Sequence, residues 1–291
     1  DVIQLKGLTA AKIASGGAMG GLTVKKNTAT FGGAIVINKI NNITSARIED
    51  DSDIRVKEKA DVIAKDSSGE EKLDKIIDSN DDGHENSSTL DYDGSEIGAS
   101  STDGSSILSV AGVLQGGGNN VGISFGWNEI NNSFKSEIND SIVVAENTGT
   151  DGEINVESRS NAAITGLAVG VGISAGQFAG GGSIVVNEIG NKTIAQLNDS
   201  IETGETGLKS ISADILNVKA EDISKIDSLA GQVTLSKGAT SFGGTVAYNE
   251  ISNETRSSIE GIDIDINEET GLLATNNSRI RTLSVSGGGS K

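Results

Sequence analysis

A segment of alternating apolar and polar residues recurs four times along the chain, each time around an Asn that follows a run of β-branched residues. The four anchors, Asn38, Asn128, Asn187 and Asn249, are 90, 59 and 62 positions apart. After each anchor, even offsets hold small, apolar or amide side chains, and odd offsets hold mostly charged or polar ones. Alternation with a period of two over ten residues predicts a half-buried β-strand and not a helix.

Each repeat of about 60 residues contains two further segments with strand character. In one repeat they are 141–160 and 162–182, and in the next they are 211–222 and 226–244. Segments of about 20 residues have the size of one coil of a parallel β-helix, where stacking buries the apolar face that one coil leaves open. We therefore expect an all-β chain, a right-handed parallel β-helix (solenoid) with three coils in each repeat. An array of immunoglobulin-like sandwiches fits less well, because its units need about 100 residues.

The composition agrees with closely stacked strands. The chain of 291 residues has 39 Gly, no Pro and about 3% aromatic residues, and Gly and β-branched residues suit tight corners and pleated surfaces. A net charge of −18 argues against a nucleic-acid partner and favours divalent cations as guests. The chain has no Cys, which excludes disulfides and thiolate metal sites. No apolar run approaches the roughly 20 residues of a membrane helix, so membrane insertion is not expected.

The anchoring Asn residues point inward in this interpretation, where they exchange hydrogen bonds along the stack. With three coils in each repeat, successive anchors are several coils apart, so one Asn need not lie directly on the next. The residues immediately before the anchors, Ile37, Trp127, Val186 and Tyr248, form an apolar row at an outward offset. Such a row indicates either a contact surface or a corner that neighbouring loops cover.

An acidic insertion interrupts the repeats at residues 66–105, between a first β-helix segment (1–65) and its continuation (106–291). The stretch 58–103 holds 14 acidic and 4 basic residues. Apolar residues at helical spacing in 69–79 predict a short helix that leaves the solenoid.

The segment 78–89 matches the first half of a calcium-binding loop. Asp78, Asn80 and Asp82 occupy the first, third and fifth positions, and a Gly follows at the sixth. The twelfth position is Thr where such loops place a bidentate Glu, and Asp91 or Asp93 is a candidate for the missing ligand. A bound Ca²⁺ is one interpretation of this segment, and an acidic, solvated loop is the other.

We do not expect an enzyme. His84 is the one His of the chain, so a Ser-His-Asp triad would have to use a residue of the acidic insertion. Asp263 and Asp265 lie on one strand face about 7 Å apart, a spacing compatible with paired carboxylates. A polysaccharide-active β-helix is therefore the alternative function. Ice binding ranks lower, because the repeated Thr residues fall at inward offsets.

The repeated pattern GGxIVxNEIxNxTxAxI resembles repeats in very large secreted bacterial exoproteins. These include filamentous-haemagglutinin-like adhesins and the fusobacterial leukotoxin group, and the resemblance covers most of the chain outside the insertion. It implies a structural and adhesive rod on the bacterial cell surface or in the extracellular space. Its expected partners are other copies or neighbouring repeats, or a host-cell, extracellular-matrix or glycan receptor. Association side by side and association end to end both stay open.

Overall fold

A computed structural model describes residues 2–6, 11–22, 29–49, 52–63, 89–102, 104–145, 151–199, 209–238 and 240–291. Within these ranges the chain is all β and contains no helix. The helix expected over 69–79 lies outside the described residues. The described residues contain no helix that is long and apolar enough to span a membrane.

The strands follow one another in the same order in successive repeats. In chain order they are β1 (Val2–Lys6), β2 (Lys12–Leu22), β3 (Ala29–Ile40), β4 (Ile43–Ile48), β5 (Asp53–Ile63), β6 (Thr89–Thr102), β7 (Ser106–Gly117), β8 (Asn119–Ile130), β9 (Ser133–Asn139), β10 (Ile142–Ala145), β11 (Glu153–Ser174), β12 (Phe178–Ile189), β13 (Lys192–Asn198), β14 (Ser210–Ser236), β15 (Thr240–Ile251), β16 (Glu254–Glu260) and β17 (Asp263–Ser290).

The strands form three sheets, and every strand pair among the described residues is parallel. Sheet 1 has the order β1-β6-β5-β10-β14-β11-β7-β2, and β17 also pairs with β14. Sheet 2 has the order β15-β12-β8-β3, and sheet 3 has the order β16-β13-β9-β4. The prediction of an all-β chain built from parallel, stacked strands is confirmed.

Each strand of sheets 2 and 3 pairs with the strand that holds the same place in the next repeat. Asn187 lies beside Asn249, 62 residues further on, and beside Asn128, 59 residues back. The expectation of three coils in each repeat is therefore wrong. One repeat contributes a strand to each of the three sheets, as β12, β13 and β14 do, so the chain needs the whole repeat to return to the same sheet. The segments 141–160 and 162–182, expected as two coils, lie mostly in sheet 1, where β11 continues from one into the other.

The three sheets pack as two layers, with sheet 1 opposite sheets 2 and 3. Strands β11 and β14 have 22 and 27 residues, and this length lets each of them contact both sheet 2 and sheet 3. Opposite sheet 3 the core consists of large aliphatic residues such as Ile138, Leu197 and Leu216. A layer of buried Ile residues, which includes Ile130 and Ile164, lies where the strands of sheet 2 end.

The buried side chains are smaller where sheet 2 faces the later parts of β7, β11 and β14. Val36 and Val185 of sheet 2 pack there on Ala111, Ala168 and Ala230 of sheet 1. Glycines bring the layers close together beside this cluster. A Cβ atom at Gly166 would lie 2.5 Å from Oδ1 of Asn187, so no larger residue fits without a shift.

Candidate interaction surface

The apolar row that precedes the anchors points outward, as predicted. Ile37, Trp127, Val186 and Tyr248 lie side by side on β3, β8, β12 and β15, because the register of sheet 2 pairs each with the next. Trp127 is 40% exposed and Ile37 is 65% exposed. The row is therefore open to solvent, and the interpretation that loops cover it is wrong.

Outward rows that precede this one in sheet 2 are also apolar. Two positions before the row come Ile35, Phe125, Ile184 and Val246, and six positions before it come Phe31, Val121, Gly180 and Phe242. We call this outward side of residues 31–37, 121–127, 180–186 and 242–248 the aromatic face. It carries five of the eight aromatic residues of the chain, namely Phe31, Phe125, Trp127, Phe242 and Tyr248.

A second apolar surface covers the opposite side of the molecule. It is the outward side of sheet 1 over residues 14–20, 108–116, 165–173, 227–235 and 281–289, which we call the aliphatic face. Its exposed side chains are Leu108, Val110, Leu114, Ile173, Val233, Leu235, Leu283 and Val285. Gly residues such as Gly112 and Gly231 lie between these side chains, so few side chains protrude far from this face. The face carries no aromatic residue.

A groove of about 1150 Å³ lies at one end of the aliphatic face, where the strands of sheet 1 end. Leu114, Ile173 and Leu235 line it, together with Lys237. At the same end of the aromatic face, the rings of Phe178 and Phe242 lie with their centroids 5.4 Å apart. The two apolar faces thus differ in relief, with a groove on one and bulky rings on the other.

Charged rows border both apolar faces, and their signs differ. The border of the aromatic face holds Lys39, Glu129, Glu188 and Glu250, aligned across sheet 2. The Nζ atom of Lys39 lies 2.8 Å from Oε1 of Glu129, which leaves the row with a net negative charge.

The border of the aliphatic face is basic. The first row of this face and the outward row next to it carry Lys12, Lys225, Arg279 and Arg281 with one acidic residue, Asp227. Nε of Arg281 donates a hydrogen bond of 2.6 Å to Asp227, and Nζ of Lys225 lies 2.7 Å from the same carboxylate. These hydrogen bonds hold the pKa of Asp227 well below its usual range. The carboxylate is therefore ionised at neutral pH and cancels one of the four basic charges.

Beneath the aromatic face, the anchoring Asn residues form a continuous ladder. Nδ2 of Asn38 donates to Oδ1 of Asn128, Asn128 donates to Asn187, and Asn187 donates to Asn249, each at 2.7 Å. The predicted exchange of hydrogen bonds along the stack is confirmed, and each Asn lies directly on the next because one full repeat separates neighbouring strands. Inward amides are thus satisfied by their own copies in the adjacent strands.

A second ladder runs where sheet 2 turns into sheet 3. The backbone N of Asn132 donates to Oδ1 of Asn191 at 3.2 Å, and the N of Asn191 donates to Oδ1 of Asn253 at 2.9 Å. The Nδ2 groups of Asn191 and Asn253 donate hydrogen bonds to the carboxylate of Asp222. This carboxylate also accepts a hydrogen bond of 2.7 Å from Oγ of Ser224. Burial raises the pKa of the Asp222 carboxyl, and the hydrogen bonds oppose this shift.

The residues proposed for a Ca²⁺ site are only partly within the described chain. Asp78, Asn80 and Asp82 lie outside the described residues, as does His84. Asp91 and Asp93 belong to β6, which pairs with β5 and β1 in sheet 1. No group of three or more His, Cys, Asp or Glu side chains that could hold a metal occurs in the part of the chain that the structure describes. The Ca²⁺ site thus stays a prediction from sequence.

The carboxylate pair considered for catalysis lies on β17. Asp263 and Asp265 are exposed and pair with Ser210 and Ser212 of β14. Neither side chain faces the apolar surfaces, since both lie on the half of sheet 1 opposite sheet 3.

Sequence reasoning found one row of the aromatic face and missed the other rows and the aliphatic face. The signal was present, because residues at odd offsets before the anchor are apolar in all four copies, for example Ile35 and Phe125.

Comparisons with family models, with curated proteins and with solved structures find no match to this chain.

Proposed function

We propose that this chain is a structural and adhesive segment of a large bacterial cell-surface or secreted protein, folded as a right-handed parallel β-helix. The parallel pairing of equivalent strands one repeat apart supports the helix, and crossovers between parallel strands of one sheet are almost always right-handed. The repeated pattern and its resemblance to bacterial exoproteins support the extracellular location.

The observation that carries the proposal is the recurrence of one outward surface in each successive strand. Ile37, Trp127, Val186 and Tyr248 present the same position of the repeat four times, at the spacing of neighbouring strands. Apolar contacts at equivalent positions and a fixed spacing bind weakly one at a time and strongly together, since each contact raises the effective concentration of the next. The function we propose is therefore contact through a repeated surface, without a unique reactive centre.

Beads that carry the purified chain test this function. They would be allowed to settle on surfaces coated with the same protein, with extracellular-matrix protein, with glycan or with inert protein, and then washed under increasing flow. We expect retention on at least one of the first three surfaces, and retention that rises more steeply than the density of the chain on the bead.

The matched variants are Trp127→Ser with Tyr248→Ser, which alter the repeated row, and Ser45→Glu, which alters an exposed residue of sheet 3. We expect the double variant to lose retention and Ser45→Glu to keep it. Detachment from all surfaces at the same flow as inert beads would refute an adhesive function.

A further inference from the structure

We infer that the partner of the aromatic face is the aliphatic face of a second copy of this chain, so that copies stack side by side. This inference rests on the proposed function and names the partner of the same surface. Both faces are apolar, and both are open to solvent in the described chain. Phe31 is 77% exposed and Ile35 is 71% exposed on one face, and Leu283 is 57% exposed on the other.

The relief of the two faces favours contact between unlike faces. The aromatic face carries protruding rings, and the aliphatic face carries Gly rows and a groove lined by Leu114, Ile173 and Leu235. The ring of Phe242 lies at the same end of the molecule as this groove, because Gly172 of sheet 1 lies beside Gly180 of sheet 2. In a stack of copies with the same orientation, the rings of one copy would therefore enter the groove of the next.

The charged borders favour the same arrangement. Gly166 of sheet 1 lies against Asn187 of sheet 2, so the row through Glu188 lies at the height of the row through Asp227 and Arg281, on the opposite side of the two layers. The row through Lys12, Lys225 and Arg279 lies two residues further along the strands. Stacking without rotation then places the acidic border of one copy against the basic border of the next. Two aromatic faces, by contrast, would bring two acidic borders into one interface.

The area of each face suits a reversible contact. The aromatic face spans four strands and about seven residues of each, or roughly 20 Å by 25 Å, since strands lie about 4.8 Å apart and rise about 3.3 Å per residue. One contact then buries about 1,000 Å² in total, near the lower bound for a specific interface. Because the contact joins unlike faces, it does not close on itself and each copy can add another.

A complementation experiment tests the inference. Trp127→Glu places a charge on the aromatic face, and Val233→Glu places one on the aliphatic face; both side chains are exposed, so the core is not altered. Ser45→Glu is the control, since it adds the same charge to the outward side of sheet 3. Sedimentation velocity over a range of concentrations measures association, and circular dichroism checks that each variant is folded.

The inference predicts that the unaltered chain and Ser45→Glu associate in a concentration-dependent way. Each face variant alone should associate at least about tenfold more weakly, because one face is lost. An equal mixture of Trp127→Glu and Val233→Glu should form a dimer that does not grow, since each variant retains the face that the other needs.

Other outcomes would overturn the inference in identifiable ways. Dimers of Val233→Glu alone would mean that two aromatic faces pair with each other. Association that neither face variant reduces would mean that copies meet end to end. A monomeric chain that floats with phosphatidylcholine vesicles would mean that the apolar faces bind lipid. If the chain is monomeric in sedimentation but adheres in the bead assay, the inference of side-by-side stacking is refuted and the proposed adhesive function is not.

Discussion

The Asn ladder under the aromatic face should show strong energetic coupling between neighbouring strands. In Asn187→Ala, the chain loses the bond from Asn128 and the bond to Asn249, both 2.7 Å long. Each such bond contributes about 0.5–1.5 kcal/mol, and a buried polar group left without a partner costs about 1–3 kcal/mol more. Asn128 is fully buried, so we expect Asn187→Ala to lower the free energy of unfolding by about 2–5 kcal/mol.

The double variant distinguishes a ladder from independent polar contacts. Asn128→Ala alone breaks the bonds to Asn38 and Asn187, so the two single variants together break four bonds. The double variant breaks three, because one bond is shared, and it leaves no amide stranded between the two sites. Its loss of stability should therefore be smaller than the sum of the single losses by about 2 kcal/mol.

Urea unfolding measures these free energies, with Trp127 as the sole Trp reporter and circular dichroism as a second probe. Coincident transitions from both probes establish that the two-state treatment applies. Asn128→Ala combined with Asn217→Ala is the control pair, since Asn217 bonds to Glu153 and Asn155 on the outward side of sheet 1. The control pair should be additive, and a coupling below about 0.5 kcal/mol between Asn128 and Asn187 would refute the ladder argument.

Three further predictions concern single sites. Burial raises the pKa of Asp222, so at a pH between the ordinary Asp pKa and the raised value the folded chain keeps a proton that the unfolded chain has released. The free energy of unfolding that this site contributes therefore falls as pH rises from the ordinary Asp pKa through the raised value. Asp222→Asn should therefore be more stable than the unaltered chain at neutral pH and similar to it in acid, as urea unfolding at several pH values would show. A Cβ at Gly152 would lie 2.3 Å from the carbonyl oxygen of Ala145, whereas one at Gly112 would meet nothing within 4 Å. Gly152→Ala should thus lower the thermal midpoint, with a cost of about 1–3 kcal/mol, and Gly112→Ala should not. If the segment 78–89 binds Ca²⁺, calorimetry should detect saturable binding that Asp82→Ala abolishes, and equal heats from both proteins would favour a solvated loop.

The sequence was sufficient to predict which side chains point inward. Alternation around the anchors placed Ile130, Ile189 and Phe134 inside, and all three are buried. It also placed Trp127 and Glu188 on the outward side. These predictions succeed because a strand has a period of two, so one known orientation determines that of each neighbour in the same strand.

The length of the coil was not accessible from alternation, because coils of 20 and of 60 residues show the same period of two. The hydrogen-bonding needs of Asn carry the missing information. In a coil of about 20 residues, Asn187 would face strands without an equivalent amide, and its buried side chain would lack a partner. A coil of one whole repeat places Asn128 and Asn249 beside it. An inward amide that recurs once per repeat therefore indicates a coil of one repeat.

The apolar faces were missed because the usual rule, apolar residues inside, is reversed in this part of the chain. Beneath the aromatic face the interior holds Asn, Ser and Gly around a small cluster of Val and Ala, and residues such as Ser124 and Ser183 are fully buried. Such an interior is thin and polar, and it holds together through ladders and close backbone approach more than through the burial of large side chains. The large side chains of the same strands point outward, where each face exposes an area comparable to one side of a protein interface. The free energy of their burial is available only if another surface covers them, and the aliphatic face of a second copy matches the aromatic face in relief and in charge. Sheet 1 packs on sheet 2 through the inward sides of both sheets within one molecule, and stacking would join the outward sides of the same two sheets between molecules.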